Sequence, residues 1–165
     1  GVTALQPPEG VKVVPVISAA DMAQAVKAAA SEQDIIVKAA AVADYRPAVT
    51  ADEKIKKKDG ELTLSLERTE DILAWLGANR LEGQILCGFS METEHLLENS
   101  RAKLERKKID MIVANSLKQA GAGFGTDTNV VTLLTKQGTE ELPLLSKEEV
   151  ADRLLDRLME LEVTI

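Results

Sequence analysis

An α/β fold, with a doubly wound and mostly parallel sheet and helices on both faces, is predicted by three features of the 165-residue sequence. Strand-like β-branched runs alternate with helical patterns along the chain. The run from Asp34 to Ala43 is apolar at nearly every position, and so is the shorter run from Asp110 to Ala114, which follows a charged amphipathic helix. Alternation of strand and helix builds βαβ units, and strands that read apolar on both faces belong to parallel sheets covered by helices.

Taken in order, Val11 to Val16 reads as a first strand. Ser18 is placed to cap a helix over about Ala19 to Ser31, with Asp21 three residues on as its capping-box partner and Met22, Ala25, Val26 and Ala29 at helical spacing. Asp34 to Ala43 is expected at the centre of the sheet. A polar excursion from Asp44 to Lys58 leads to Asp59-Gly60 and the alternating segment Glu61 to Glu67. Asp-Gly between extended stretches predicts a protruding β-hairpin over residues 53 to 67. A helix from about Glu70 to Asn79 precedes a strand from Gln84 to Phe89. The charged helix Glu94 to Lys108 has Leu97 and Leu104 on its inner stripe. After the strand Asp110 to Ala114, the segments Asn129 to Thr135 and Glu140 to Leu144 form a second hairpin around Gly138. A helix from Ser146 to Leu161, opened by a Ser146–Glu149 capping box, ends the pattern.

Composition narrows the function classes. A hydrophobic fraction of 45% and a charged fraction of 28% are those of a folded domain, and one domain over residues 1–165 is expected. The one cysteine, Cys87, lies in an apolar run and reads as a buried small hydrophobe in a reducing compartment. Nothing reads as an export signal or membrane span, so a cytoplasmic location is expected, with no membrane partner. A net charge of −7 and 2% aromatic content argue against nucleic acid, which is bound through excess basic charge and stacking. Within this acidic chain, Lys54, Lys56, Lys57 and Lys58 cluster, as do Arg101, Lys103, Arg106, Lys107 and Lys108, so nearly half of the 20 basic residues occupy two short segments. Localised positive charge suggests a small polyanion.

In doubly wound sheets ligands bind outside the carboxyl ends of the strands. Neither G-x-G-x-x-G nor the P-loop pattern occurs, and Gly121 to Gly125 reads as a loop. One histidine, His95, and one cysteine support neither a zinc site nor a Cys/His nucleophile pair, and no metal-ligating residues are assigned. From Lys38 to Arg46 the small residues admit either a flat ligand or a crossing helix, and Asp44 with Arg46 is either a binding pair or a surface pair. The arm Lys54 to Lys58 is either an anion site or a solvated, aggregation-resistant edge. Lys103 and Lys107 share one helix face, which suits either the helix dipole or phosphate. The amides opening the helix at Glu70, Asp71, Ile72 and Leu73 offer an anion site that the two acidic side chains oppose unless they turn away or share a metal ion.

Five segments occur in register: A-A-V-A-D-Y-R (40 to 46), E-K-I-K-K (53 to 57), T-x-D-I-L (69 to 73), G-F-x-x-E-T (88 to 93) and K-K-I-D-M-I-V-A-N (107 to 115). Together they resemble phosphopantothenate-cysteine ligase, the coenzyme A biosynthesis domain often fused behind a flavin-dependent decarboxylase. The resemblance implies a Rossmann-like, usually dimeric ligase that joins 4'-phosphopantothenate to cysteine through an acyl-cytidylate, using CTP with magnesium. FMN would belong only to a fused decarboxylase domain, and no decarboxylation is expected of these residues. Position by position, the resemblance implies nucleotide contacts at Lys38, Ala39, Ala40 and Asp44. It implies a base or ribose contact at Phe89, phosphate or ribose contacts at the amides of Glu70, Asp71, Ile72 and Leu73 and at Lys103 and Lys107, and charge stabilisation by Lys54 beside Lys57. Val2 and Glu70 stand where the family usually has proline. The family's opening strand, helix and Ser/Gly-rich connection, with its asparagine, are not matched, so an N-terminally incomplete domain is expected. An ATP-using relative and a non-catalytic nucleotide-binding or dimerisation module are the alternatives.

Overall fold

The computed structural model describes residues 6–57, 60–92, 95–116 and 126–162. Lys58 and Asp59 of the expected turn, Thr93 and Glu94, the glycine-rich segment 121–125, and Val2 lie outside the described residues. The chain divides into two compact units, Gly1–Val26 with Ala41–Asp71, and Lys27–Ala40 with Ile72–Ile165.

The second unit is built on a five-stranded sheet. Its strands are β1 (Ile35–Lys38), β4 (Ile85–Glu92), β5 (Met111–Ser116), β7 (Val131–Thr135) and β8 (Thr139–Glu141), in the order β1-β4-β5-β7-β8. β1, β4 and β5 run parallel, with Lys38 opposite Gly88 and Phe89 opposite Val113. β7 and β8 add an antiparallel half. Thr135 N donates to Gly138 O at 2.9 Å, and so short a turn permits only antiparallel pairing, because a parallel return needs a crossover of a dozen or more residues. A two-stranded ribbon of β6 (Thr128–Asn129) and β9 (Leu145–Ser146), which the hydrophobic pattern does not foretell, precedes the terminal helix α4 (Lys147–Glu162).

Helices cover both faces of the parallel half, as the sequence predicts. On one face Ile85, Cys87, Met111, Val113, Val131 and Leu133 pack with Val150, Leu154, Leu158 and Leu161 of α4, whose three- and four-residue spacing lines one side of the helix. Side chains alternate along a strand, so Gly88 points to the other face. There it meets Leu73 of α2 (Ile72–Asn79) and Ile109. α3 (Leu96–Lys107) lies beside α2, with the Lys107 carbonyl against Gly77. On α3 it is Ser100 and Leu104 that are buried, whereas Leu97 is 42% exposed. The predicted inner stripe is thus shifted, with Leu104 and not Leu97 on the sheet side.

Two strand expectations are corrected. β1 is shorter than the predicted run and lies at the sheet edge among the described residues, with Val37 exposed. After Lys38 the sequence is Ala-Ala-Ala, which offers little side chain to pack, and Lys38 Nζ donates instead to Ala40 O at 2.9 Å. Val11 to Val16 is not a strand; it has no ladder partner among the described residues, Val11, Val13 and Val14 are more than half exposed, and Pro15 removes one donor.

In the first unit, α1 (Ala19–Ala29) begins as expected. Asp21 N donates to Ser18 Oγ at 3.1 Å and Ser18 N to Asp21 Oδ2 at 2.9 Å. The helix runs on through a 3-10 turn, Ala30–Glu32, into the second unit. Its Lys27 ammonium sits 5.2 Å from the ring centroid of Trp75, both within the second unit. The hairpin exists, but its paired strands lie at its base, β2 (Tyr45–Pro47) against β3 (Leu66–Arg68), and not over 53 to 67. An ion pair between Arg46 and Glu67 at 2.7 Å and a bond from Ala48 N to Ser65 O at 2.9 Å set that register. The lysine arm carries no ladder bonds among the described residues and stays exposed, as adjacent ammonium groups favour.

Candidate functional site

The carboxyl ends of the parallel strands in the second unit gather several of the expected residues. Lys38 closes β1 and stands in register with Gly88, and exposed Ala39 and Ala40 follow it. A Cβ on Gly88 would come within 2.4 Å of Leu73 Cδ2 and 3.3 Å of Ile109 Cδ1. Leu73 therefore seats the first turn of α2 where a side chain on β4 would otherwise stand. Ile72 and Leu73 are both 2% exposed, so their side chains anchor the helix while their amides belong to its N-terminus. The opening amides of a helix lack intrahelical acceptors and carry the positive end of its dipole.

Lys103 and Lys107 lie four residues apart on α3, both half-buried, which places them on one side of the helix. Gly77 brings the end of that helix against α2. A Cβ at Gly77 would fall 1.7 Å from the Lys107 carbonyl oxygen. Lys38, the start of α2 and the two α3 lysines thus belong to one unit, and α2 and Gly88 share the same face of the sheet.

Phe89 is placed differently. It is half-buried and packs against the core beneath α4, on the sheet face opposite to that of Gly88. The alternation of a strand dictates this once Cys87 is inside. Asn115, at the end of β5, has a buried side-chain oxygen with no hydrogen-bond partner; nothing in the sequence pattern singles it out as more than the last residue of a motif.

At the opposite ends of these strands an ionic network braces the sheet. Arg80 Nη1 donates to both carboxylate oxygens of Asp110, at 2.9 and 3.0 Å, and to Lys108 O at 3.4 Å, and Arg80 Nη2 donates to Gln84 O. Asp110 Oδ2 also accepts from Leu86 N at 2.8 Å, and Gln84 Nε2 reaches the carbonyls of Ala30 and Gln33 at 2.6 and 2.7 Å. Cys87, fully buried nearby, has its thiol pushed up to about 12 by burial and, second, by the charge of Asp110.

In the first unit, Asp44 is exposed, and its carbonyl accepts from Thr69 N at 2.9 Å while Thr69 Oγ1 donates to Ala43 O. These bonds join the A-D-Y-R and T-x-D-I-L segments, which are distant in sequence. The Arg68 guanidinium lies 5.9 Å from the centroid of the Tyr45 ring. Lys54 and Lys57 are exposed in a stretch without regular structure, and Glu70 and Asp71 are exposed just ahead of α2. His95 opens α3 in a left-handed conformation, φ 51°, with Nδ1 3.5 Å from Glu98 Oε2. Among the described residues no three His, Cys, Asp or Glu side chains come together to hold a metal ion, and no helix is long and apolar enough to cross a membrane.

Comparison with known proteins gives a consistent set of likenesses. The family model described as "DNA/pantothenate metabolism flavoprotein C-terminal domain" matches residues 1–161. A protein of Bacillus subtilis (strain 168) named "Coenzyme A biosynthesis bifunctional protein CoaBC" is 47% identical over 160 residues, which is 96% of this chain and 39% of that protein. A "Cysteine/Cysteine sulfinic acid decarboxylase" of an unknown prokaryotic organism is 44% identical over 154 residues, covering 93% of this chain and 43% of its own. The chain therefore spans about two fifths of the length of the curated relatives it matches. A crystal structure of "the C-terminal Domain of Coenzyme A biosynthesis bifunctional protein CoaBC" superposes with a TM-score of 0.78 at 44% identity, covering 99% of this chain and 74% of that one.

Proposed function

The chain belongs to the DNA/pantothenate metabolism flavoprotein C-terminal domain family, and from that premise we propose that it is a phosphopantothenate-cysteine ligase of coenzyme A biosynthesis, acting in the cytoplasm. The carboxylate of 4'-phosphopantothenate attacks the α-phosphorus of CTP and expels pyrophosphate. The amine of cysteine then attacks the acyl carbon of the acyl-cytidylate, CMP leaves, and the amide bond forms with release of a proton. The feature that carries this reading is the start of α2, seated on Gly88 in the unit that also supplies Lys103 and Lys107. Helix-terminal amides and the ammonium groups of lysines suit phosphate oxygens.

In this reading the amides of Ile72 and Leu73, with Lys103 and Lys107, hold phosphates or ribose. Lys38, Ala39, Ala40 and Asp44 contact the nucleotide, and Phe89 supplies a base or ribose contact. Lys54, with Lys57, meets the charge that builds as pyrophosphate departs, where fixed positive charge lowers the barrier. Magnesium fits as a companion of the triphosphate, which supplies most of its oxygen ligands; the described residues form no cage of their own, and the exposed carboxylates of Glu70 and Asp71 are the nearest in sequence to α2. The decarboxylase name of one relative belongs to a protein this chain matches over less than half its length, and decarboxylation is not proposed.

A homodimer is also proposed. Leu62, Leu64 and Leu66, at alternate positions of the returning side of the first hairpin, are 70, 58 and 58% exposed, and Val49 and Ile55 are exposed as well. An exposed apolar stripe of this kind suits a second copy.

Release of CMP and pyrophosphate from CTP, dependent on both 4'-phosphopantothenate and cysteine, tests the activity, with ATP in parallel. CTP-dependent turnover that Lys54→Gln abolishes, with the circular dichroism unchanged, supports the ligase. Turnover with ATP alone would identify an ATP-using relative, and CTP binding without turnover, also in a chain that carries the family's opening strand, helix and Ser/Gly-rich connection, a non-catalytic module.

A further inference from the structure

The seam between α2 and α3 is set by a residue that has no side chain. A Cβ at Gly77 would stand 1.7 Å from the carbonyl oxygen of Lys107, 2.9 Å from its carbonyl carbon and 3.4 Å from the carbonyl oxygen of Lys108. These neighbours are backbone atoms, which cannot rotate aside as a side chain can. One turn earlier, α2 is held from the sheet, since Leu73 Cδ2 fills the space that a Cβ on Gly88 would need. Just past the helix, Arg80 Nη1 grips the Lys108 carbonyl at 3.4 Å and the Asp110 carboxylate at 2.9 and 3.0 Å. Neither glycine can bind a ligand with a side chain, and none of these contacts uses the Lys103 or Lys107 ammonium. Their shared effect is to fix the start of α2 and the last turn of α3 at one separation.

We propose that Gly77 is a positioning residue for nucleotide binding, which sets the distance between the first amides of α2 and the ammonium groups of Lys103 and Lys107. The inference rests on the ligase reading above, in which those groups hold CTP. A methyl group at position 77 would drive the two backbones apart by about 1 Å or more, since close contact between non-bonded heavy atoms is reached only beyond about 3 Å. Lys107 would keep its charge and α3 its helix, but the two halves of the cradle would no longer match one phosphate chain. Misplacements of about 1 Å, even from substitutions remote from the chemistry, can cost about 100-fold in rate.

Titration calorimetry with magnesium CTP tests this on the chain and its Gly77→Ala, Arg80→Gln and Ser146→Ala variants. Ser146→Ala removes the side-chain cap of α4 and touches no residue proposed to meet the nucleotide, so it serves as the control for stability lost elsewhere. The expected result is that Gly77→Ala keeps its far-ultraviolet circular dichroism and binds CTP about 10-fold or more weakly, while Ser146→Ala melts earlier and binds as the parent does. Equal affinity in Gly77→Ala and parent overturns the proposal. So does an equal weakening in Ser146→Ala, because affinity would then follow stability alone. If Gly77→Ala does not fold, Arg80→Gln carries the test, since it releases the Lys108 carbonyl at the same seam; weaker binding there supports the proposal and unchanged binding overturns it. A parent chain that does not bind CTP, either as it stands or extended by the family's opening strand, helix and Ser/Gly-rich connection, overturns the ligase reading and this inference with it, whereas a parent and Gly77→Ala that bind alike overturn the positioning role only.

Discussion

Asp110 is the residue on which the sheet's lower end depends. Its carboxylate accepts from Arg80 Nη1 at 2.9 and 3.0 Å and from Leu86 N at 2.8 Å, and the two side chains are 17% and 26% exposed. Truncating one member of such a pair strands the other without its partner. Asp110→Ala is therefore expected to lower stability by about 2–4 kcal/mol, read from urea unfolding; a loss within error of zero would refute the bracing role. Cys87 makes a second prediction at this scale. With its thiol pushed up to about 12, it is protonated near neutrality, and the thiolate is the reactive form. A thiol reagent at neutral pH should leave the folded chain unlabelled and modify Cys87 on unfolding, and rapid labelling without urea would contradict its complete burial. Burial of Cys87 is legible in its apolar neighbours. The Arg80–Asp110 pair is not, because its partners are thirty residues apart and nothing local marks either one.

Helix ends were the elements most open to reading from sequence, since a cap is decided within four residues. Ser146 N donates to Glu149 Oε2 at 2.8 Å and Glu149 N to Ser146 Oγ at 3.2 Å, as the Ser-x-x-Glu pattern predicts. The amides of Ser18 and Ser146 hold the carboxyls of Asp21 and Glu149 below their ordinary values of 3.8 and 4.5. A carboxyl depressed on folding stabilises the fold above its unfolded value, and that contribution disappears as pH falls through the folded value. Melting temperature should accordingly fall as the solution is taken below about pH 4, and less steeply for Glu149→Gln. The other end of α3 carries a strain that no pattern announces: Lys108 adopts φ 52°, a left-handed conformation that glycine takes at far lower cost. Lys108→Gly is expected to raise stability by up to about 1 kcal/mol, and a decrease on denaturant titration would count against the strain. Strand partners were harder to infer. The apolar run after Asp34 suits a central strand, but its place at the edge among the described residues depends on what lies beside it. The hairpin register is fixed by Arg46–Glu67 and by Thr69 with Ala43 and Asp44, across loops too long for a local signal.

For the whole molecule, charge distribution and exposed apolar surface carry more information than the net charge of −7. If the first hairpin joins two copies, Leu64→Glu should yield monomers by light scattering under conditions where the parent is dimeric; a parent that is monomeric at all concentrations would remove the hairpin's proposed role. The family resemblance made the candidate residues legible, and the structure distributes them: Lys38, Ile72, Leu73, Lys103 and Lys107 fall in the unit built on the five-stranded sheet, whereas Asp44, Lys54 and Lys57 fall in the other. Sequence order could not reveal that division, because the chain leaves and re-enters each unit. The aromatic economy of the chain has a practical corollary. Its one tryptophan, Trp75, lies on α2 with the Lys27 ammonium 5.2 Å from the ring centroid, and indole emission responds to the charges around it. If that helix meets phosphate as proposed, fluorescence from that single ring would serve as a label-free optical clock for nucleotide arrival and departure on the stopped-flow timescale.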